Sequence, residues 1–476
     1  MRILLLSQWY PPEPQKILSD LSETMQALGH EVTVLTGFPN YPSGNLYPGY
    51  RVRAWQRETI GGIQVVRVPL YPDHSTSSWK RSLNFLSFMA SAALLGPFLV
   101  PQPDMVYVFC PPLTLACSGW LLSRRFRVPL ACEIQDMWPE TLAATGMLRN
   151  GRLLRLMDGL GKWFYRRCRA IRVISPGFRD NLLGKGVPAE KIHCIPNWVD
   201  TEFYYPREYD RELAEKMRLT DRFNVMYAGT IGRAQGLDVV LKAARLLGDL
   251  PEAQFVLVGD GTDLASLRQA SQDAKLTNVR FLGRHPESLM SRLFSTADVL
   301  LAPLRDKPLF RITIPHKIYT YMAVGKPLLV AADGDAAATV EAAGAGLICP
   351  PENPAALAAA VRRLHALPPN ELATMGQNGR RAVCDHFQRE TLVRRIVNML
   401  ENTFEPVRKR GQAIYPKQLL HTSSTLSGST STFSDGPFIQ TKARENDHEQ
   451  NYEKFDSHGS VWGLSSTAAE DIRPAL

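Results

Sequence analysis

The sequence predicts an α/β protein with two doubly wound parallel sheets. Apolar runs of strand length alternate with helix-like runs in both halves of the 476-residue chain, which is the pattern of parallel βαβ units. A chain of this length is too long for one ordinary hydrophobic core. A connector with proline and aspartate lies near residues 200–220. We therefore predict two Rossmann-like domains, residues 1–200 and 201–388, that face each other across a cleft.

The elements of the first domain follow from the N-terminus. Residues 3–7 are an apolar run that predicts a buried strand. Residues 19–28 predict a helix that ends before Gly29, and residues 32–35 predict the next strand. Further strands are predicted to begin at Val65, Met105, Leu130 and Ile171.

The second domain repeats this alternation. Its strands are predicted to begin at Asn224, Phe255, Val279, Val299, Pro327 and Gly346. Residues 389–405 predict a last packed helix. From residue 406 hydrophobic periodicity is lost, so residues 406–476 are predicted to be disordered.

Composition excludes several classes of protein. The seven cysteines are scattered without a Cys-x-x-Cys pair, so neither a zinc site nor a disulfide framework is predicted, and a cytoplasmic location fits. The N-terminal apolar run is too short for a signal peptide. No nucleic-acid-binding motif accompanies the net charge of +9. We therefore expect neither a metal ion nor nucleic acid as a partner.

One segment concentrates the basic charge. Residues 147–170 hold seven basic side chains and one acidic side chain, interleaved with leucine and aromatic residues. This composition is typical of a basic amphipathic helix, which binds anionic membranes through apolar burial and roughly 1 kcal/mol per basic residue. An ordinary solvated helix face is the alternative interpretation.

A second apolar stretch, residues 85–100, is interrupted by Gly96 and Pro97. It falls short of the roughly 20 residues that span a bilayer. We expect it not to span a membrane, while insertion into one leaflet stays open.

Residues 314–327 combine a helix start with a basic residue and a hydroxyl. Pro315 suits the entry to the helix and Gly325 its exit. Lys317 and Thr320 then fall near the first turn. Because a helix N-terminus offers free N–H groups and about half a positive charge, this segment suits a phosphorylated ligand. A surface lysine is the alternative.

Two glycine-rich strand ends favour the same kind of ligand. Residues 227–237 lie at a strand-to-helix junction and carry Gly229, Thr230, Gly232, Arg233, Gln235 and Gly236. A purely structural turn is the alternative. A second strand ends in Gly259-Asp260-Gly261, whose small residues allow backbone to approach a ligand.

Taken in order, these motifs resemble those of the retaining glycosyltransferases of family 4, which have the GT-B fold. The resemblance covers residues 1–404 and is strongest for the branch that builds bacterial O-antigen, capsule and exopolysaccharide. Besides the segments above, it depends on the motifs at residues 11–14, 29–36, 39–42, 134–140 and 195–200.

The resemblance implies where substrates bind. A nucleotide sugar would lie in the C-terminal domain and the acceptor against the N-terminal domain, with no metal or other cofactor. The pyrophosphate would lie near Gly232, Arg233, Gln235 and Lys317. The nucleoside would lie near Asp260, Gly261 and Arg284. Gly229, Thr230, Gly236 and Thr320 complete the predicted donor-binding set.

The resemblance also implies a reaction that retains the anomeric configuration. Negative charge grows on the leaving nucleotide, so Arg233 and Lys317 would stabilise the transition state. Asp136, predicted beside the acceptor, would orient or partly deprotonate the acceptor hydroxyl. A helix N-cap is the alternative role for Asp136.

The sequence departs from the family pattern in three places. Gln135 stands where many members have histidine, and Gln15-Lys16 stand where many have glycines. The two family glutamates, eight residues apart, would fall at Ile312 and Thr320. Threonine still forms hydrogen bonds with a ribose hydroxyl, whereas isoleucine replaces no polar contact.

Three functions follow. We expect a hexosyl- or N-acetylhexosaminyl-type retaining glycosyltransferase (EC 2.4) that acts on a polyprenyl-diphosphate-linked saccharide. It would be cytoplasmic and peripheral on the inner face of the plasma membrane, bound to anionic lipid. The missing glutamates keep open a nucleotide-sugar-binding subunit without catalysis, and the shared cleft keeps open a GT-B sugar-nucleotide epimerase.

Overall fold

The computed structural model describes residues 1–73, 77–144, 146, 148 and 150–412, apart from the side chains of Ser78 and residues 405–412. The disorder predicted for residues 413–476 lies outside this part of the chain. Residues 406–412, predicted as disordered, belong to the last helix.

The first domain is a sheet with helices on both faces. Its strands are β1 (Arg2–Leu6), β2 (Glu31–Gly37), β3 (Gln56–Ile60), β4 (Ile63–Val68), β5 (Met105–Cys110), β6 (Leu130–Ile134), β7 (Ala170–Val173) and β8 (Ile192–Cys194). Its helices are α1 (Lys16–Ala27), α2 (Ser78–Leu99), α3 (Leu115–Phe126), α4 (Glu140–Ala144), α5 (Gly151–Arg167) and α6 (Pro176–Gly184). The strand order is β3-β4-β2-β1-β5-β6-β7-β8, parallel except for the β3–β4 pair.

The second domain has an all-parallel sheet in the order β11-β10-β9-β12-β13-β14. Its strands are β9 (Phe223–Ala228), β10 (Ala253–Val258), β11 (Val279–Gly283), β12 (Val299–Pro303), β13 (Leu328–Ala331) and β14 (Gly346–Cys349). The helices that follow the linker are α7 (Arg211–Met217), α8 (Asp238–Leu246), α9 (Leu264–Asp273), α10 (Glu287–Ser295), α11 (Pro308–Arg311), α12 (His316–Ala323), α13 (Asp335–Ala342), α14 (Pro354–His365), α15 (Pro369–His386) and α16 (Arg389–Gln412).

The two doubly wound sheets confirm the predicted fold class. In each sheet one central strand has, on its two sides, strands from which the chain continues toward opposite edges of the sheet. Strand β1 pairs with β2 and β5, and strand β9 pairs with β10 and β12. Such a switch point leaves a crevice beyond the carboxyl ends of the strands, where α/β proteins bind ligands. Strand β3, which the sequence did not predict, is a polar edge strand joined to β4 through Gly61 and Gly62.

Helix α2 corrects the prediction that residues 85–100 are interrupted. It runs unbroken through Gly96 and Pro97. Pro97 lacks an N–H and so removes one helical hydrogen bond, just before the helix ends at Leu99. A Cβ at Gly96 would come within 2.9 Å of Leu35 and 3.0 Å of Leu122, so glycine here allows close packing rather than a break. By length and composition alone, Trp79–Leu99 could cross a membrane.

The chain crosses between the domains twice at neighbouring points. Val199 and Gln388 form an isolated parallel bridge, and the Val199 N–H donates to Phe387 O at 3.2 Å. After the second crossing, α16 packs on the N-terminal domain, where Leu392 and Ile396 join the cluster of Leu18 and Leu21 on α1. Helices α2, α3, α5 and α6 cover the opposite face of that sheet.

A close contact joins the two domains beside the cleft. Ser175 Oγ donates to Ile312 O at 2.6 Å, and the Gly177 N–H donates to Asp335 Oδ2 at 2.7 Å. Ile312 packs so closely on Gly177 that a Cβ there would lie 2.4 Å from Ile312 Cβ. The position where the family resemblance implies a glutamate therefore makes an interdomain contact in this chain.

We expect Gly177→Ala to strain this contact. The added methyl group overpacks against Ile312, so the free energy of unfolding should fall by about 1–3 kcal/mol. Gly184→Ala is the matched control on the same helix, because a Cβ there meets nothing within 4 Å. Chemical denaturation of both variants measures the difference. Equal stability of the two variants would contradict the prediction.

Candidate functional site

A cleft of about 840 Å³ lies between the domains at the carboxyl ends of the switch-point strands. The N-terminal domain contributes Asp136 and Gln135, beyond β6. The C-terminal domain contributes the turn after β9 and the start of α12. The cleft therefore brings together the predicted site residues Asp136, Thr230, Gly232, Arg233, Gln235 and Lys317.

Lys317 is a buried cation in the first turn of α12. Its Nζ lies 3.8 Å from the centroid of the Tyr227 ring, and a Cβ at Gly229 would lie 2.8 Å from Nζ. Burial lowers the pKa of Lys317 to about 7. Among the described residues no carboxylate forms an ion pair with this ammonium group. A desolvated cation that lacks an acidic partner is suited to bind an anion from solution.

Arg233 and Gln235 lie in a one-turn 3-10 helix, Arg233–Gln235, which Gly236 ends with a φ of +61°. Arg233 is exposed to the cleft. Arg305, after β12, holds this turn: its N–H donates to Ala234 O at 2.9 Å and its guanidinium to Arg233 O at 3.3 Å. The turn is thus fixed where the two central strands of the sheet end.

Gly259 and Gly261 have a packing role, and their predicted closeness to a ligand stays a prediction. A Cβ at Gly259 would lie 1.9 Å from Gly229 O, and one at Gly261 would lie 2.2 Å from Ile231 O. These glycines let the turns after β9 and β10 touch. Gly229 and Gly236 likewise stand behind the cleft lining. Asp260 and Arg284 are exposed at the ends of β10 and β11.

Thr320 turns toward its own helix rather than into the cleft. Its Oγ1 lies 3.4 Å from His316 Nδ1 and 3.5 Å from His316 O. His316 Nε2 lies 2.9 Å from Trp198 O, and a carbonyl only accepts, so Nε2 carries the proton. Burial lowers the pKa of His316, which keeps the ring neutral. His316 therefore links α12 to the interdomain linker.

Asp136 follows the end of β6 and lines the N-terminal side of the cleft. Burial raises the pKa of its carboxyl to about 6. Helix α4 begins four residues later, at Glu140, so Asp136 is not the cap of that helix. A half-buried carboxyl whose pKa lies close to neutral is suited to orient or accept a proton from a hydroxyl.

Gln135, beside Asp136, is held by a buried polar network. Its amide exchanges two hydrogen bonds with the amide of Asn197, at 3.0 and 2.7 Å. Arg172 lies beneath, with Nη1 2.6 Å from Glu133 Oε1 and Nη2 donating to Asn197 Oδ1 at 3.0 Å. Tyr107 OH donates to Glu133 Oε2 at 2.7 Å. These contacts hold the side chain of Gln135 in place, at the position where many members of the resembling family have histidine.

A cluster of mostly buried aromatic rings lies in the N-terminal domain near Asp136. The ring of Trp9 lies 5.2 Å from Tyr41 and 6.4 Å from Phe85, and Phe85 lies 6.1 Å from Trp138. Burial, and next the charge of Asp136, raise the pKa of Tyr41 to about 12. The rings therefore stand close to Asp136, where the predicted acceptor would lie.

The Pro-Glu-Pro motif builds the loops beneath these rings. Buried Glu13 accepts N–H bonds from Asn40 at 2.8 Å, Tyr41 at 2.9 Å and Tyr10 at 3.0 Å. Lys16, which stands where many family members have glycine, pairs with Asp200 at 3.4 Å and Asp20 at 3.6 Å. It stabilises the interdomain linker and does not line the cleft.

Several cleft residues were not predicted. They follow β12, start α12 or approach from β14, and include Arg305, Lys307, Thr313, His316 and Glu352. The end of β12 was a usable signal, because strands next to a switch point end at the ligand. In the described ranges, no cluster of three or more His, Cys, Asp or Glu side chains could hold a metal ion.

Comparison with known proteins places this fold and cleft in a family. The model for a glycosyl transferase 4-like domain matches residues 14–198, and the model for glycosyl transferases group 1 matches residues 210–382. The putative colanic acid biosynthesis glycosyl transferase WcaI of Escherichia coli K12 is 28% identical over 385 residues, which cover 77% of this chain and 93% of WcaI. The probable glycosyltransferase WbjE of Pseudomonas aeruginosa is 26% identical, over 61% of this chain and 72% of WbjE.

Solved structures agree on the architecture. The Anabaena protein HepE, crystallised with UDP and glucose, superposes with a TM-score of 0.64 at 19% identity and covers 84% of this chain and 99% of its own. Two facing Rossmann-like domains with a ligand cleft between them define the GT-B class of glycosyltransferases. The two matched family models together span most of both domains. Within the GT-B class, the chain therefore belongs to the group 1 glycosyltransferases.

We expect binding of a nucleoside diphosphate to depend on the protonation of Lys317. Because burial lowers its pKa to about 7 in the empty cleft, the side chain is largely a neutral amine at higher pH and must take up a proton to bind the phosphates as an ammonium group. Affinity for UDP or GDP should therefore fall between about pH 7.5 and 9, by up to tenfold per pH unit, in a range where phosphate no longer titrates. Calorimetry in buffers of different ionisation heat measures the proton uptake.

Lys317→Arg is the matched variant, since arginine stays charged throughout this range. It should bind with a smaller pH dependence and without proton uptake. The same pH dependence in both proteins would exclude Lys317 as the titrating group.

Proposed function

We propose that this protein transfers a sugar, with retention of configuration, from a nucleotide sugar to a polyprenyl-diphosphate-linked saccharide in the synthesis of a bacterial surface polysaccharide. The observation that carries the proposal is the buried, unpaired ammonium of Lys317 on the opposite domain of the same cleft from Asp136. Similarity to WcaI, a putative colanic acid biosynthesis glycosyl transferase, supports the polysaccharide, and similarity to HepE, crystallised with UDP and glucose, supports the donor.

Donor activation follows from the charges on the C-terminal wall. As the bond between the anomeric carbon and phosphate breaks, negative charge grows on the β-phosphate. Lys317, Arg233 and the N–H groups at the start of α12 stabilise that charge more in the transition state than in the ground state. These groups perform the leaving-group stabilisation, and the proposal needs no metal or other cofactor.

Acceptor positioning follows from the N-terminal wall. The Asp136 carboxylate accepts a hydrogen bond from the acceptor hydroxyl and aligns it for attack on the face that the phosphate leaves. Ile174 and Phe178, which line the N-terminal side of the cleft, offer apolar surface for sugar rings. We infer a hexose or N-acetylhexosamine as the transferred group.

The location proposed is the inner face of the plasma membrane. Helix α5, in the segment with concentrated basic charge, carries Arg152, Arg155 and Arg166 on its exposed side, while Phe164 and Tyr165 are buried. An outward basic surface adsorbs to anionic lipid, where a lipid-linked acceptor is found.

Ile312 and Thr320 favour a second candidate function, a subunit that binds nucleotide sugar without catalysis. Ile312 packs against the other domain and Thr320 faces its own helix, so neither offers a polar contact to a donor. Thr320→Glu would then confer activity that the natural chain lacks. A GT-B epimerase is the third candidate, and it would change the sugar without transferring it.

Transfer is tested with purified full-length protein, a panel of UDP-, GDP- and dTDP-sugars, and membranes that bear lipid-linked acceptors. We expect label in the lipid fraction and release of nucleoside diphosphate. Lys317→Met and Asp136→Asn should each lower kcat/KM by about 10²–10³-fold. Lys242→Met, which removes an exposed lysine on α8, is the control and should keep wild-type activity.

Absence of transfer and of nucleotide release across the panel would reject the transferase. Epimerised nucleotide sugar without transfer would identify an epimerase instead. Activity gained only by Thr320→Glu would identify the subunit without catalysis.

The decrease of kcat/KM at acidic pH should be caused by protonation of Asp136. Burial raises the pKa of its carboxyl to about 6, so the carboxylate is protonated below that pH and present above it. We expect kcat/KM to fall as pH decreases through about 6, by up to tenfold per unit. A pH profile from 5 to 8 measures this decrease. The residual activity of Asp136→Asn should lack it, and an unchanged decrease in that variant would contradict the assignment.

A further inference from the structure

The outward face of α2 is apolar apart from Lys80 and Ser82 near its N-terminal end. Its exposed residues recur every three or four positions, and residues 82–99 contain no charged side chain. Trp79 is 73% exposed, Leu94 69% and Phe98 79%. The full stripe comprises Trp79, Leu83, Leu86, Ala90, Leu94 and Phe98. At about 1.5 Å per residue the 22-residue helix presents this stripe over roughly 33 Å.

The polar side chains Asn84, Ser87 and Ser91 of α2 point inward, among buried apolar residues such as Phe88 and Ala92. Asn84 donates to Tyr71 O at 2.7 Å, and Ser87 Oγ accepts from the Tyr71 N–H at 2.8 Å. Ser91 Oγ donates to Pro69 O. A helix on a water-facing surface is apolar on its inner side and polar on its outer side, whereas α2 has apolar residues on both sides. The surroundings that suit the outer face of α2 are therefore apolar.

The packing of α2 keeps it flat on the domain. Phe88 and Ala92 are buried in the core beneath it, and Gly96 lies against Leu35 and Leu122. A helix held by these contacts and by the inward hydrogen bonds does not leave the sheet to cross a bilayer. Its exposed half would instead enter one leaflet in the plane of the membrane.

The margins of the stripe are basic. Lys80 is exposed at the N-terminal end of α2, and Arg57, which donates to Leu99 O at 2.6 Å, is exposed at the other end. Arg124 and Arg125 are exposed on α3, which packs beside α2. Cationic margins around an apolar strip complement anionic lipid headgroups around acyl chains.

We propose that the stripe on α2 is inserted at the boundary between headgroups and acyl chains of an anionic bilayer. Insertion of the stripe differs from adsorption through α5, because salt screens the charges of α5 but does not screen a hydrophobic contact. It also sets the orientation of the cleft: Phe85, on α2, packs on Trp9 and Trp138 at the acceptor side. The acceptor side of the cleft would therefore open close to the lipid surface.

A bilayer suits the stripe better than a second copy of the chain. In a symmetric dimer the same patch meets itself, so the basic margins formed by Lys80, Arg57, Arg124 and Arg125 would face one another and repel. In the bilayer the same charges face anionic headgroups. Self-association is therefore an outcome that the experiment must detect.

Co-sedimentation with vesicles tests the proposal without donor or acceptor, so its result is independent of the transferase reaction. Full-length protein is mixed with phosphatidylcholine vesicles containing about 30% phosphatidylglycerol, at about 0.1 and 0.5 M NaCl. We expect binding that persists in part at the higher salt. Leu86→Glu/Leu94→Glu should weaken binding about tenfold or more at both salt concentrations.

Two controls separate the stripe from other surfaces. Leu246→Glu places the same charge at a leucine of α8 that is 49% exposed, comparable to 45% for Leu86, and should bind like wild type. Arg155→Glu/Arg166→Glu on α5 should weaken binding mainly at low salt, because it removes a screened interaction. Thermal unfolding establishes that all variants are folded.

Three results would overturn the proposal. Wild-type protein could stay in the supernatant under both conditions. The double leucine variant could bind as tightly as Leu246→Glu. Sedimentation velocity without lipid could show a wild-type dimer that the leucine variant dissociates, which would assign the stripe to self-association.

Discussion

The buried pair of Glu133 and Arg172 is the interaction on which the arrangement of this molecule depends. Both side chains are fully buried on the neighbouring strands β6 and β7. Arg172 also donates to Ile195 O at 3.0 Å and Pro196 O at 2.7 Å, so the pair fixes the start of the interdomain linker. A buried charge without its partner costs about 3–5 kcal/mol, which makes this junction intolerant of change.

The same pair determines the geometry on the acceptor side. Through Asn197 it holds Gln135, and Gln135 precedes Asp136 on the chain. The linker continues into Trp198, whose carbonyl accepts from His316 at the start of α12. One continuous set of polar contacts therefore connects the wall with the carboxylate to the wall with the cation. Domain apposition and site geometry are not independent properties here.

The sequence predicted most of the fold because strand length, apolar runs and glycine-bearing turns are local signals. The positions of Lys317 and Asp136 could be predicted for the same reason, since Lys317 lies at a recognisable helix start and Asp136 follows a recognisable strand. The role of Ile312 was not, because its contact with Gly177 exists only once the two domains meet. The reciprocal amides of Gln135 and Asn197 join residues 62 positions apart, and no periodicity reports such a pair. The unbroken course of α2 depended on packing space at Gly96, which composition does not reveal.

The double crossing at Val199 and Gln388 makes the C-terminal domain an insertion within the N-terminal one. The apolar side of α1, with Leu18 and Leu21, is covered by Leu392 and Ile396, which the ribosome makes more than 370 residues later. At about 5–20 residues per second, α1 waits on the order of 20–70 s for its cover during synthesis. The first domain to emerge is thus the last to be completed, and a nascent chain interrupted before α16 presents a bare hydrophobic surface to chaperones.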